Sequence, residues 1–216
     1  MQISRRKFLG ASAAAVIVAG TRASGKVFGA NERIGVCTIG FNGQGSSHIK
    51  DILKNCSASA QYVALCDVDK NVLNEGGKSL EKATGAAPKL YTDMRQVMEN
   101  KDVDAVTIAT PNHWHTLAAV WACQAGKDVY VEKPLSHSVW EGRQLVAAAE
   151  KHGRIVMHGT QSRSNATLIR DIGLMHKGFI GDIVHSRGYV YKNGNRMAIG
   201  HGTPATPPDY LDYTLW

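Results

Sequence analysis

Short apolar runs rich in β-branched residues recur along the chain. They alternate with longer stretches whose apolar positions return every three or four residues. The runs over 33–39 (RIGVCTI), 61–66 (QYVALC), 104–109 (DAVTIA), 128–131 (DVYV) and 154–157 (RIVM) predict strands. Their near-continuous hydrophobicity is that of strands covered on both faces, as in parallel sheets. The intervening periodicity predicts helices over 46–53, 68–80, His115–Gln124 and from about Ser138 to His152. Ser138-Val139-Trp140-Glu141 reads as a capping box that opens the last of these, and Gly153 as its stop. Strands alternating with helices predict an α/β fold, a Rossmann-type doubly wound parallel sheet with helices on both faces.

After Gly159 the alternation ends. A helix is expected over 168–177, a strand over 183–192 (IVHSRGYVYK) and a Gly-, Pro- and Thr-rich loop over 193–208. This part reads as an incomplete α+β domain, the start of a mostly antiparallel sheet. The expected divisions are therefore 1–30, 31–158 and 159–216. A lone strand without its sheet has unpaired backbone edges and an uncovered apolar face. Residues 160–216 are accordingly expected to pack poorly, and the chain to be a truncated form.

Ligands of open parallel sheets sit beyond the carboxyl ends of the strands. Here those ends carry Gly40, Asp67, Thr110-Pro111-Asn112, Glu132-Lys133-Pro134 and His158. The first expected strand runs into Gly40-Phe41-Asn42-Gly43-Gln44-Gly45 and then a helix. Strand, glycine turn and helix is the context of a dinucleotide site: backbone and helix N–H groups meet the pyrophosphate there. Gly40 allows the tight turn and Gly45 close packing of helix on strand. Asn42 stands where the motif has its middle glycine, and is expected to tolerate a positive φ. Asp67 follows Gly45 by 22 residues, the distance at which a carboxylate receives the adenosine ribose hydroxyls. The alternative for Asp67 is a helix N-cap. An acid there repels a 2′-phosphate, which favours NAD over NADP.

Charge adds one correction to this picture. The formal net charge is +7, but residues 1–30 hold five basic residues and no acid, and the remainder carries only +2. The high pI is therefore no argument for nucleic acid, and none is expected as a partner. Ser4-Arg5-Arg6-Lys7-Phe8-Leu9-Gly10, followed by small and apolar residues to Gly20, resembles a twin-arginine export signal. The apolar stretch is 13 residues, too short to span a bilayer at ~20 residues. Export to the periplasm with no membrane span after cleavage is expected, the alternative being an anchor formed by an uncleaved signal. Thr21-Arg22-Ala23, Ala23-Ser24-Gly25 and Val27-Phe28-Gly29 are all candidate cleavage regions. The four cysteines show no C-x-x-C spacing, and Cys37 and Cys66 lie in apolar runs as core residues. His113 and His115 lack a neighbouring third ligand, so no metal is expected.

Thr110-Pro111-Asn112-His113-Trp114-His115 and, 17 residues on, Glu132-Lys133-Pro134-Leu135-Ser136 resemble the Gfo/Idh/MocA oxidoreductases. Gly159-Thr160-Gln161 and Gly178-Phe179-Ile180-Gly181-Asp182-Ile183 extend the resemblance over roughly 32–190. The resemblance implies hydride transfer between NAD(P) and a sugar, polyol or related alcohol, and homo-oligomers of a full-length form. It implies that Lys133 lies between nicotinamide and substrate, where an ammonium stabilises an alkoxide or passes a proton. Glu132 then lies on the nicotinamide side and His115 beside the same region. Lys133 and His115 are the catalytic candidates. Gly40, Asn42, Gly43, Gly45, Asp67, Thr110, Pro111, Asn112, His115, Glu132, Lys133 and Gln161 are the cofactor-binding candidates. His158 and Gln161 either line this cleft or are ordinary strand-end residues. The N-terminal half also resembles family 109 glycosidases, which oxidise the sugar transiently and release no net NADH. A cofactor-binding fragment without activity is the third reading.

Overall fold

The computed structural model describes residues 33–190 and 202–216; the expected export signal lies outside them. They form two compact units. One comprises residues 33–159 together with Asp209–Trp216, the other the described residues within 160–208.

The first unit is built on six parallel strands. These are β1 (Ile34–Ile39), β2 (Ala60–Cys66), β3 (Lys89–Tyr91), β4 (Ala105–Ile108), β5 (Asp128–Glu132) and β6 (Val156–Gly159). Their order is β3-β2-β1-β4-β5-β6, so the direction of winding reverses at β1. That reversal opens a crevice at the carboxyl ends of β1 and β4. Five helices cover the sheet: α1 (Gln44–Asn55), α2 (Lys70–Thr84), α3 (Met94–Glu99), α4 (His115–Gln124) and α5 (Val139–His152).

Alternation along the strands sorts side chains to the two faces. Val36 and Leu65 pack with Phe41, Leu73 and Leu80 beneath α1 and α2. Cys37, Ile39 and Cys66 pack with Val97, Ala118, Ala122 and Leu145 beneath α3, α4 and α5. Burial pushes the Cys37 and Cys66 thiols far up, as expected of core cysteines. On the α1/α2 face the Thr38 hydroxyl bonds Tyr62 at 3.0 Å and Thr107 at 2.8 Å, tying three strands through polar groups that burial would otherwise leave unpaired.

The capping box of α5 forms, with Ser138 Oγ accepting from the Glu141 N–H. Its return bond shifts by one residue, from the His137 N–H to Glu141 Oε2 at 2.8 Å. Gly153 closes the helix at φ 60°. Two elements escape the sequence pattern. β3 has three residues, none of them buried, and α3 has six, too few for a periodicity to show. The cap of α2 is Asp69, which accepts from Asn71 and Val72 N–H groups; the alternative role of Asp67 as that cap is thereby excluded.

In the second unit a 3-10 turn (Gln161–Ser164) precedes α6 (Ala166–His176), capped by Asn165. None of the unit's described residues is buried, in line with the expected poor packing. The strand expected over 183–192 does not form across its described part, 183–190. A strand needs a neighbour to take its backbone hydrogen bonds, and among the described residues none lies beside it. Residues 209–216 correct the same expectation, because they pack on the first unit.

Candidate cofactor and catalytic site

The exit of β1 is a turn that only glycine satisfies at two points. Gly40 has φ +77°, and a Cβ there would lie 2.8 Å from the Thr110 backbone nitrogen. A Cβ on Gly45 would lie 2.0 Å from the Gly40 carbonyl oxygen, so α1 approaches β1 as closely as a bare backbone allows. Gly43 differs: nothing lies within 4 Å of the position a Cβ would take. The start of α1 has no side-chain cap and no acid in its first turn. An open cradle in front of uncapped helix N–H groups fits a diphosphate. Asn42 needs no left-handed conformation, since among the described residues positive φ is confined to glycines. The expected tolerance of Asn42 for positive φ is therefore not called upon.

Asp67, at the exit of β2, holds this turn from the side. Its Oδ2 accepts the Phe41 N–H at 2.9 Å and its Oδ1 the Asp69 N–H at 3.0 Å. Burial raises the carboxyl's pKa, and the Phe41 and Asp69 N–H groups offset part of that rise. The carboxylate retains acceptor capacity beyond those two bonds.

At the exit of β4, Thr110 Oγ1 is buried without a hydrogen-bond partner. Pro111 and Asn112 are exposed and lead through a 3-10 turn (Asn112–Trp114) into α4. His115 is only 1% exposed. Its Nδ1 lies 2.6 Å from Pro134 O and its Nε2 2.8 Å from Thr110 O. Both partners are acceptors, so a neutral ring donates to one and only the doubly protonated ring to both. With its two nitrogens facing carbonyls of the two loops, His115 sits between the β4 exit and the β5 exit. This geometry makes it a positioning residue between the two strand exits.

Glu132 ends β5 and is 3% exposed. Its Oε1 lies 3.0 Å from His48 Nε2, and its Oε2 accepts the Lys133 N–H at 3.2 Å. Lys133 itself is exposed, and its peptide bond to Pro134 is cis. His48 was not expected. It lies on α1 three residues after Gly45, where helical spacing turns it with Gly45 toward the sheet. That spacing was the available signal.

The carboxyl edge therefore brings together Gly40, Gly43, Gly45, Asp67, Thr110, His115, Glu132 and Lys133, on four strand exits. Gln161 is exposed and belongs to the second unit. His158 sits on β6, paired in register with Val131. A cavity of about 260 Å³ bounded by Arg33, Ala60 and Thr84 is lined by none of these residues.

The Gfo/Idh/MocA profile, described as an oxidoreductase family with an NAD-binding Rossmann fold, matches residues 33–160. A glycosyl hydrolase family 109 protein of Shewanella pealeana is 27% identical over 217 residues, covering 89% of this chain and 47% of the relative. Among solved structures, the WlbA dehydrogenase of Bordetella pertussis, in complex with NADH and UDP-GlcNAcA, has a TM-score of 0.59 at 26% identity, covering 68% of this chain and 43% of that one. The fold is also that of a myo-inositol 2-dehydrogenase from Lactobacillus plantarum, with a TM-score of 0.64 at 23% identity, covering 71% and 44%. The chain thus spans less than half the length of these relatives. Its strand order, its glycine turn and its match over 33–160 place it in the Gfo/Idh/MocA oxidoreductase family, as an NAD-binding Rossmann domain.

Proposed function

We propose that the chain binds NAD across the exits of β1, β2 and β4 and serves hydride transfer involving a hydroxyl of a sugar, polyol or related alcohol. The observation that carries this reading is the contrast among three glycines of one turn. Gly40 and Gly45 are closed against backbone, while Gly43 faces open space before an uncapped helix. A purely structural turn has no need of that opening. NAD bound there supplies the hydride acceptor or donor. Asp67 offers its carboxylate to ribose hydroxyls and repels a 2′-phosphate, which favours NAD over NADP. Lys133 presents an ammonium at the β5 exit, where it stabilises negative charge on a reacting alcohol oxygen or holds its proton. Glu132 and His115 hold the loop that carries Lys133, one from each side.

Calorimetric titration of the folded chain tests this directly. NAD is expected to release heat and NADP less, and Asp67→Ala to weaken NAD. No heat with either coenzyme would overturn the proposal.

The family 109 relatives support a second reading, glycoside cleavage without net redox change. Absorbance at the NADH band separates the two. NADH accumulates in dehydrogenation, whereas sugar is released at constant NADH in cleavage. Further proposals concern the whole protein: the first thirty residues direct export to the periplasm through a twin-arginine route, and a form with the relatives' full length assembles as a homo-oligomer.

A further inference from the structure

The segment Asp209–Trp216 lies on the carboxyl edge of the sheet, fastened at two strand exits. At the β2 exit, Leu211 forms an antiparallel bridge with Asp69. The Lys70 N–H donates to Tyr210 O at 2.8 Å and the Asp212 N–H to Val68 O at 3.1 Å. These contacts follow immediately on Asp67. At the β4 exit, Trp114 Nε1 donates to Trp216 O at 2.9 Å, and His113 Nε2 lies 3.1 Å from the same oxygen. A turn built on Asp212 joins the two fastenings. Its Oδ1 accepts from the Thr214 and Leu215 N–H groups, and its carbonyl accepts the Trp216 N–H at 3.0 Å. The Tyr213 and Trp216 rings stack at 10°, with centroids 5.7 Å apart. They remain 58% and 49% exposed.

The path between the fastenings follows from the topology. β2 and β4 flank β1, and the helices that follow them cover opposite faces of the sheet. A segment held at the starts of both helices must cross the sheet's edge at the exit of β1, where the glycine turn lies. Neighbouring strands are about 4.8 Å apart, so the fastenings stand on the order of 10 Å apart. A single turn covers that distance.

We infer that Asp209–Trp216 is the outer wall of the adenosine half of the cofactor site, with the Tyr213–Trp216 pair as the aromatic surface that bounds it. The inference rests on the proposed NAD site. The ribose acid Asp67 and the Asp69–Leu211 bridge are two residues apart on one loop. A ligand moiety held by the first lies beside the second. The stacked, half-exposed rings are of the kind on which a base packs, and losing one base–aromatic contact costs roughly tenfold in affinity.

The test is titration of AMP and NAD against the chain and against its Tyr213→Ala/Trp216→Ala form. Both ligands are expected to weaken about tenfold in the double variant. Equal affinity in the two proteins overturns the wall, and so does a loss confined to NAD. Failure of the unsubstituted chain to bind either ligand overturns the cofactor reading itself. Hydrogen exchange on the unsubstituted chain provides a readout independent of the variant's folding. AMP is expected to slow exchange of the Lys70 and Asp212 amides, and unchanged exchange at saturating AMP overturns the wall.

Discussion

His48 Nε2 and Glu132 Oε1 stand 3.0 Å apart, both side chains almost wholly buried, and they join helix α1, which follows the glycine turn, to the loop that carries Lys133. The His48 ring also meets Tyr130 edge-on at 5.1 Å. One contact thus fixes two strand exits relative to each other. His48→Ala is expected to cost about 1–3 kcal/mol, the penalty for stranding a buried polar partner. Urea unfolding reads it as a lower midpoint at unchanged slope. A cost below about 0.5 kcal/mol, the ordinary range of surface substitutions, would show that the pair contributes little to holding the loop.

Gly43 and Gly45 separate ligand effects from folding effects. Gly45→Ala puts a methyl group 2.0 Å from Gly40 O and is expected to lower stability by about 1–3 kcal/mol through overpacking. Gly43→Ala meets nothing within 4 Å and is expected to cost at most about 1 kcal/mol, at the helix cap. NAD affinity nonetheless falls about tenfold or more if the diphosphate occupies that space. Scanning calorimetry paired with NAD titration reads both quantities. Full affinity in Gly43→Ala would show the space to be unused.

Asp67 gives a pH dependence of definite sign. Burial raises its folded pKa, so the group favours the folded chain fully below the unfolded value, near 3.9, and this contribution is lost as pH rises through the folded value. Binding runs the other way. Ribose hydroxyls need the ionised acceptor, so NAD affinity drops as pH falls through the raised value, earlier than for an ordinary aspartate. Asp67→Asn is expected to flatten this portion of the affinity–pH curve, and an unaltered curve would remove Asp67 from the ribose contact.

Lys133 and His115 are expected to split cleanly. Lys133 is exposed, so Lys133→Met changes stability by no more than about 0.5 kcal/mol. NADH formation with a responsive polyol falls about 10²–10⁴-fold, the usual contribution of an acid–base group. His115→Ala removes a buried ring that lies between the Pro134 and Thr110 carbonyl oxygens and is expected to cost about 1–3 kcal/mol. Thermal unfolding of both variants, set beside turnover, checks the division. A destabilised Lys133→Met would make that lysine structural.

The glycine turn, Asp67 and the Glu132-Lys133-Pro134 loop were legible because each is a local feature at a predicted strand end. The four longer strand predictions around the crevice succeeded because strands buried on both faces leave continuous apolar runs. β3 and α3 were not legible, being too short to show a period. The strand expected over 183–192 failed across its described part, 183–190, for a different reason: its alternation is genuine, but pairing depends on a neighbour that a local pattern does not supply.

Sequence alone determined the alternating α/β architecture, the turn that leaves β1 and the acid that follows β2, since each depends on residues within a few positions of one another. Tertiary structure decided that His48 meets Glu132 across 84 residues and that Trp114 meets Trp216 across 102. It also decided that the two His115 ring nitrogens face carbonyls of two separate loops. Periodicity states only that a side chain is buried. The atom it meets there depends on how helices and loops distant in sequence pack over the same sheet edge.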